Sequence, residues 1–341
     1  MKIAIHQSNN SFSESWVMYC REKEIPFKIV NCYKNDIIRE LDDCDGLMWH
    51  FHQANSKDFL FAKQLLYSLQ MAGKKVFPDF NTCWHFDDKV GQKYLLEAIG
   101  APLVPSYVFY EKTEALEWVS KTEFPKVFKL RRGAGSAHVQ LVKDKAAAKK
   151  LIKKAFGKGF SQYDAKSNLK ERWRKYQHNL LGLKSVLKGI VRLGYTTDFD
   201  RVAGKEKGYV YFQDFIPYND HDIRVIVIDN KAFAIKRDVR KNDFRASGSG
   251  LLSFEKENFD DEMIRIALKL SNNLQSKSVA VDFVKKGKDF LIVEISYGFP
   301  AKNFTDGCTG YWDKDLNWHP GKFNEQEWMV ESFWREISGR N

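Results

Sequence analysis

Cysteine is scarce and scattered. The five, Cys20, Cys32, Cys44, Cys83 and Cys308, include no C-x-x-C pair, which argues against a disulfide framework or a zinc knuckle and fits a reducing cytosol. Only 8 of 341 residues are proline, while 43% are hydrophobic and 14% aromatic, a composition that excludes disordered, collagen-like and low-complexity chains. No apolar run approaches the roughly 20 residues that span a bilayer. The opening MKIAIHQSNN lacks the apolar core and cleavage site of a signal peptide. The expectation is a soluble cytoplasmic protein of two or three domains, still able to visit a membrane face.

A dinucleotide fingerprint is also missing, since no G-x-G-x-x-G follows the first strand. What is present is an alternation of short β-rich runs and helical patterns over the first eighty residues (KIAIHQ, a helix near 12–22, FKIVNCY, GLMWHFH, a helix near 57–71, KKVFPDF). That rhythm predicts an α/β layer with a parallel sheet. A second, α+β unit starts with a helix over 87–100, a strand in VPSYVFY, a helix near 114–121 and two strands in PKVFKLRRGAGSAHVQLV. Later strands are expected in GYVYFQDFI, DIRVIVIDN, KAFAIKRDV, SVAVDFV and DFLIVEIS, with a helix near 261–274.

The net charge of +11 has an address. Residues 143–207 hold 18 Lys or Arg against six Asp or Glu, a net of +12, so the rest of the chain is nearly neutral. In this stretch Leu169, Trp173, Tyr176, Leu180, Leu183, Leu187 and Ile190 recur at spacings of three and four, as in a long amphipathic helix or a helical hairpin with a basic outer face. The last sixty residues are rich in Trp, Tyr and Gly, which suits either sugar rings or a packing tail.

Four elements carry chemistry. Lys89 stands at a helix start and Lys129 ends a strand before RRGAGSA; lysines with Gly133 and Gly135 can cradle phosphate, or be surface residues and a hairpin turn. YVYFQDFIPYNDHDIRV ends a strand in Gln213, Asp214, Phe215 and Ile216, whose backbone and apolar side chains can hold adenine, with Asp220 and Asp222 near enough for ribose; a core strand and turn is the plainer alternative. Asp282 and Glu294 sit in apolar strands and need partners, either Mg²⁺ or a basic side chain. No Ser-His-Asp set is required, and His138 and His221 are expected to be solvated or structural.

In this order the elements resemble the ATP-grasp superfamily of carboxylate–amine ligases over nearly the whole chain. FQDFIPYNDHDIRVIVIDNKAFAIKRDVRKNDFRASGSG is similar to the glutamate-ligase (RimK-like) branch that modifies ribosomal protein tails. The resemblance implies a pre-grasp α/β domain (1–85), a first grasp subdomain (86–142 and 208–220), a basic helical insertion (143–207) and a second subdomain with the metal pair and aromatic tail (221–341), with nucleotide clamped between the subdomains. It implies Lys89, Lys129, Gly133, Gly135 and Ser136 for phosphates, Gln213 and Asp214 to Ile216 for adenine, and Asp222, then Asp220, for ribose. Arg237 would face the transferred phosphoryl group, assisted by Lys129 and Arg245, with Arg240 a further phosphate or carboxylate ligand. Asp282 and Glu294 would bind Mg²⁺, and Ser296 stands where the family usually has Asn.

The implied partners are ATP, two Mg²⁺, an amine such as an amino acid, and an acid or anionic glycan. FPDFNTCWHFDDKVGQKY and the tail resemble ATP-grasp proteins encoded beside bacterial capsule and O-antigen genes, which implies amides of sugar acids or amino sugars in polysaccharide assembly. A ligase acting on peptide tails and a non-catalytic nucleic-acid binder are the alternatives; a homodimer is left open.

Overall fold

A computed structural model of the chain describes all residues except 53, 134–137, 163–168, 170–171, 174–175, 178–181, 195–197, 241–243, 247–249, 301–304 and 340–341. It divides into two compact units, one of residues 1–53, 57–104 and 216–341, the other of residues 54–56 and 105–215.

The first unit opens with the expected parallel sheet. Strands β1 (Ile3–His6), β2 (Phe27–Val30), β3 (Gly46–Met48) and β4 (Lys75–Phe77) lie in the order β2-β1-β3-β4. Parallel neighbours need crossovers, which the helices Ser13–Glu22 and Ser56–Met71 help to supply. Alternation along the central strand sorts the two cores. Ile3 and Ile5 pack with Phe12, Trp16 and Phe333 on one face, and Ala4 packs with Leu47, Trp49 and Leu66 on the other.

The second unit is built on the antiparallel strands β5 (Ser106–Phe109), β6 (Lys126–Lys129), β7 (Val139–Val142) and β8 (Val210–Asp214), ordered β5-β8-β6-β7. Phe128, Val210 and Phe212 face Ala115, Val119, Ala148 and Ile152 of the helices Lys112–Lys121 and Lys145–Ala155. The helix that opens the basic stretch is therefore part of this unit's core, its small and branched residues inward and its lysines outward. Further on, a continuous helix through the whole leucine series is ruled out: Gly182 is extended (φ −74°, ψ 160°) and Leu183–Val191 starts after it. Gly189 lies so close to Leu169 and Arg172 that a Cβ there would come within 2.9 Å of each side chain, a back-to-back packing that only the hairpin alternative allows.

The first unit resumes with a seven-stranded sheet: β9 (His221–Ile228), β10 (Lys231–Asp238), β11 (Leu252–Ser253), β12 (Ser278–Lys286), β13 (Asp289–Ser296), β14 (Gly310–Trp312) and β15 (Trp318–Pro320). Its order is β13-β12-β9-β10-β14-β15, with β11 on β10. Ile223, Val225, Val227, Val279 and Val281 cover the helix Asp261–Leu274. On the opposite face Ile226, Ile228, Phe233, Ile235 and Ala280 join the core of Phe12, Trp16 and Trp328. Trp312 and Trp328 of the aromatic tail are buried, so these rings serve packing. Among the described residues no helix is long and apolar enough to cross a membrane.

The last helix, Glu325–Ser338, locks this unit by filling the space that Gly46 leaves: a Cβ at Gly46 would lie 2.6 Å from the Phe333 ring. Truncating a fully buried phenylalanine removes its transfer energy and leaves a cavity, about 3–5 kcal/mol in all. Phe333→Ala is expected to lower urea stability by that amount, read by circular dichroism; a change below about 1 kcal/mol would show that the helix is not part of the core.

Candidate functional site

In the first unit, the face of the seven-stranded sheet that is apolar around Ile226 and Phe233 becomes charged toward its other end. Period two places Asp222 and Arg224 of β9, Arg237 of β10, Asp282 of β12 and Glu294 of β13 on that one face, and register sets Arg237 opposite Asp222, and Asp282 opposite both Arg224 and Glu294. Arg224 grips Asp282 in bidentate fashion (Nε–Oδ1 2.6 Å, Nη2–Oδ2 2.8 Å). Arg237 grips Asp222 in the same way (2.6 and 2.8 Å) and reaches over β9 to Asp282 Oδ2 at 3.0 Å. Arg237 and Asp282 are buried.

Burial opposes the charge of Asp282, but Arg224 and Arg237 outweigh it and hold its carboxyl well below the usual carboxylate range. Burial, with the like charge of Asp282, leaves Asp222 above its ordinary value despite Arg237. Arg237 is itself raised: desolvation pulls against it and the two aspartates win. Lys89, buried at the start of the helix Lys89–Ala98, lies 3.0 Å from Glu294 Oε1. Its pKa rises because Glu294 and Asp87 outweigh the penalty of burial. Ser296 Oγ is engaged in its own turn, donating to the Gly298 carbonyl (2.7 Å) and accepting from Gly298 N–H (3.2 Å).

The second unit holds a separate polar cluster. Opposite the helix-covered face of its sheet, Lys129 Nζ donates to Gln213 Oε1 (2.6 Å), and Gln213 Nε2 and Tyr211 OH both donate to Ser106 Oγ (3.0 and 2.9 Å). At the strand end Lys126 meets Asp214 at 2.6 Å and lies over the rings of Tyr107 and Trp118. The Asp214 N–H is taken by the Pro105 carbonyl. Arg132 and Tyr209 converge on buried Glu206 (3.5 and 2.9 Å), anchoring the entry to the glycine loop, where Gly133 has the left-handed φ of 132°.

Of the expected residues, Arg237, Asp222 and Asp282 come together in one cluster, Glu294 with Lys89 beside it, and Lys129 with Gln213 and Asp214 in the other unit. Asp220 is exposed, its carboxylate accepting from His221 Nδ1 at 2.5 Å. Arg240 and Arg245 are partly buried, Arg245 within 6.0 Å of the neighbouring Phe244 ring. Gly135 and Ser136 lie outside the described residues. Two residues were missed: Arg224, which period two would have put beside Asp222, and Lys126, three before Lys129 in the same quoted strand.

Residues 199–306 match the family model described as the RimK-like ATP-grasp domain. The whole chain superposes on solved ATP-grasp structures. A RimK domain ATP-grasp protein from Sphaerobacter thermophilus matches with a TM-score of 0.55 at 13% identity, covering 98% of this chain and 99% of that one. The D-alanine–D-alanine ligase from Bacillus anthracis complexed with ATP gives 0.57 at 12%, covering 100% and 99%. The D-cycloserine synthetase DcsG gives 0.60 at 12%, covering 99% and 100%. No curated protein matches. The chain has the ATP-grasp fold, and its residues 199–306 match the RimK-like ATP-grasp domain model.

ATP-grasp enzymes use Mg²⁺ with ATP, and the donor set here suits that ion in one way only. Asp282 Oδ1 accepts one of the five guanidinium contacts and keeps a lone pair, and Glu294 opposes it, enough for an ion that retains waters and shares phosphates. Yet Asp222, Asp282, Arg224 and Arg237 already sum to zero, as do Glu294 and Lys89. A dication therefore brings net charge unless phosphates enter with it. Among the described residues no group of three or more His, Cys, Asp and Glu is placed to hold a metal alone. Calorimetry is expected to show no Mg²⁺ binding to the nucleotide-free protein and clear binding once a non-hydrolysable ATP analogue is present; stoichiometric uptake without nucleotide would contradict the compensated-charge account.

Proposed function

We propose that the chain is an ATP-dependent carboxylate–amine ligase. The observation that carries the reading is the buried Arg237, held by Asp222 and Asp282 opposite Glu294 in a RimK-like ATP-grasp domain. Lys89, Lys129 and the backbone of the Gly133, Gly135 and Ser136 loop bind phosphates. Gln213 and the chain from Asp214 to Ile216 border adenine. Both Asp222 oxygens are engaged by Arg237, which supports a holding role for Asp222 and leaves ribose to exposed Asp220. Asp282 and Glu294 hold Mg²⁺, which when bound neutralises the transferring phosphoryl group; Ser296 shapes its turn.

The acid's carboxylate oxygen attacks the γ-phosphorus in line, the bond to the β-phosphate oxygen breaks, and ADP and an acylphosphate result. The amine then attacks the acyl carbon, phosphate leaves and the amine loses a proton to solvent. Arg237, assisted by Lys129, Arg240 and Arg245, stabilises the charge that develops, a preorganised contribution of several kcal/mol.

The substrate reading is an amide between an amino acid and a sugar carboxylate, or an amino sugar and an acid, in assembly of bacterial surface polysaccharide. The surplus of positive charge in 143–207 supports an anionic acceptor. The RimK-like domain supports a second reading, amino-acid ligation to a peptide tail. ADP release is the test: amino acids are screened against uronic acids, their nucleotide sugars, lipid-linked glycans and peptides, with mass spectrometry of the amide. ADP should appear only when acid and amine are both present, and Lys129→Met and Glu294→Gln should each lower it about 100-fold or more while the fold is kept. Turnover near normal in both variants would sink the site assignment; a peptide product would select the second reading.

The helix Leu183–Val191 supports docking at an anionic membrane face. Leu183, Leu187, Ile190 and Val191 are exposed on it, with Lys184 and Lys188 between them, the pattern of a helix lying in a lipid interface. The protein is expected to float with phosphatidylglycerol vesicles, not with neutral phosphatidylcholine, and Leu187→Glu with Ile190→Glu should abolish flotation. Equal flotation with both lipids, or none, would refute the docking.

A further inference from the structure

The parallel sheet of the first unit reverses its winding between β1 and β3, since β1 leads to β2 on one side while β3 and β4 lie on the other. Ligands of parallel α/β sheets bind outside the carboxyl ends of the strands at such a point. The segments leaving those ends are 7–12 and 49–52. The first is shaped by its own serines, with Ser13 Oγ accepting from Ser8 N–H (3.0 Å) and Ser11 Oγ from Ser13 N–H (3.2 Å). It presents the Phe12 N–H to His50 Nδ1 at 3.1 Å. The Phe12 ring stacks on the imidazole (3.7 Å, 6°) and Tyr297 meets it edge-on.

This geometry dictates where the imidazole proton is. Nδ1 accepts, so in the neutral ring the proton sits on Nε2. Burial, with His52 close by, pushes the His50 pKa down to about 3, so the ring stays neutral at working pH. His50 is only 7% exposed, yet its Nε2 makes no hydrogen bond with any described residue. An oriented donor at a mostly buried ring that keeps no protein partner is left for solvent or a ligand to meet. Nε2 looks toward Gly298, where an added Cβ would sit 3.5 Å away. Gly298 follows Ser296 by two residues and Glu294 by four, so the donor faces the chain that leaves the proposed metal-bearing strand.

An N–H whose tautomer is fixed cannot accept from an ammonium group; it can only donate to a lone pair, and a carboxylate oxygen is the strongest such acceptor. We propose that His50 Nε2 donates to a carboxylate oxygen of the acid that is activated, holding it beside Gly298. The inference rests on the ligase reading above and adds its acid-binding residue.

Two measurements on the full chain test it. ¹⁵N-histidine NMR should show His50 as the Nε2–H tautomer, and an Nδ1–H tautomer would overturn the proposal. ADP release is then measured with D-glucuronate, D-galacturonate and the twenty L-amino acids, and KM is determined for the acid found in the amide product. His50→Phe keeps the stack on Phe12 and removes both nitrogens; it should raise that KM at least tenfold and leave the Kd of a fluorescent ATP analogue unchanged. His50→Gln, whose amide can place an N–H near Nε2, should recover part of the loss. Wild-type turnover with unchanged KM in His50→Phe, or a loss mirrored in ATP affinity, overturns the proposal alone. No ADP release by wild type from this mixture, extended with the nucleotide sugars, lipid-linked glycans and peptides of the screen above, defeats the ligase reading and the proposal with it.

Discussion

Arg237 reaches from β10 across β9 to β12, so one guanidinium ties Asp222 and Asp282 together while Arg224 closes the figure from between them. Taking an ion out of water costs several kcal/mol after relaxation, and the cost is met only where opposite charges and hydrogen bonds are well placed. Here five contacts of 2.6–3.0 Å join two cations and two anions. Deleting any one of the four leaves an uncompensated buried charge. Strand register is constrained by the same interaction, because a slip of one residue between β9 and β10 would send Asp222 to the face packed on the helix Asp261–Leu274. The charged end of the sheet and its apolar end thus select one pairing.

That dependence explains what the sequence made legible. The strands around Asp222, Arg237, Asp282 and Glu294 could be read because each is an apolar run interrupted by charge, and period two assigns such charges to a face. What pairing across strands decides could not be read. Asp282 and Glu294 had either a metal or a basic partner as a sequence reading; the cations beside them come from residues 58 and 205 positions away, brought there by the register of β9 on β12 for Arg224 and by the packing of the helix Lys89–Ala98 for Lys89. The leucine series through 169–190 left a single helix and a hairpin undecided for a different reason. Spacing of three and four is blind to a backbone break, and Gly182, with no side chain to enter the pattern, is where the break falls. His50 was invisible for the same reason as Arg224: its meaning depends on a partner distant in sequence, here a backbone N–H 38 residues earlier.

Charge compensation also divides the labour between the units. Lys89 with Glu294, Arg224 and Arg237 with two aspartates, and Lys126 with Asp214 are each locally balanced. These ion pairs add almost nothing to the protein's long-range field. The excess lies in 143–207, where Lys149, Lys150, Lys153 and Lys154 stand outward from a helix whose inner face is core. On the proposed reading field and chemistry are then separable: the basic surface would raise the local concentration of an anionic acceptor through screened attraction, while the balanced clusters would select what arrives.

Balanced clusters sort by direction rather than by net charge. A bare cationic pocket would draw any anion. A neutral imidazole whose Nδ1 is already taken by a backbone N–H accepts nothing further and donates from Nε2 along one line, and guanidinium groups already held by aspartates keep fixed donor directions instead of swinging toward the nearest anion. On the proposed role, an acid whose carboxylate meets that line is bound, whereas an ammonium at the same spot faces an N–H to which it offers no lone pair. If the chain activates an acid before an amine attacks, as proposed, such a donor favours that order through hydrogen-bond polarity at any pH at which His50 stays neutral.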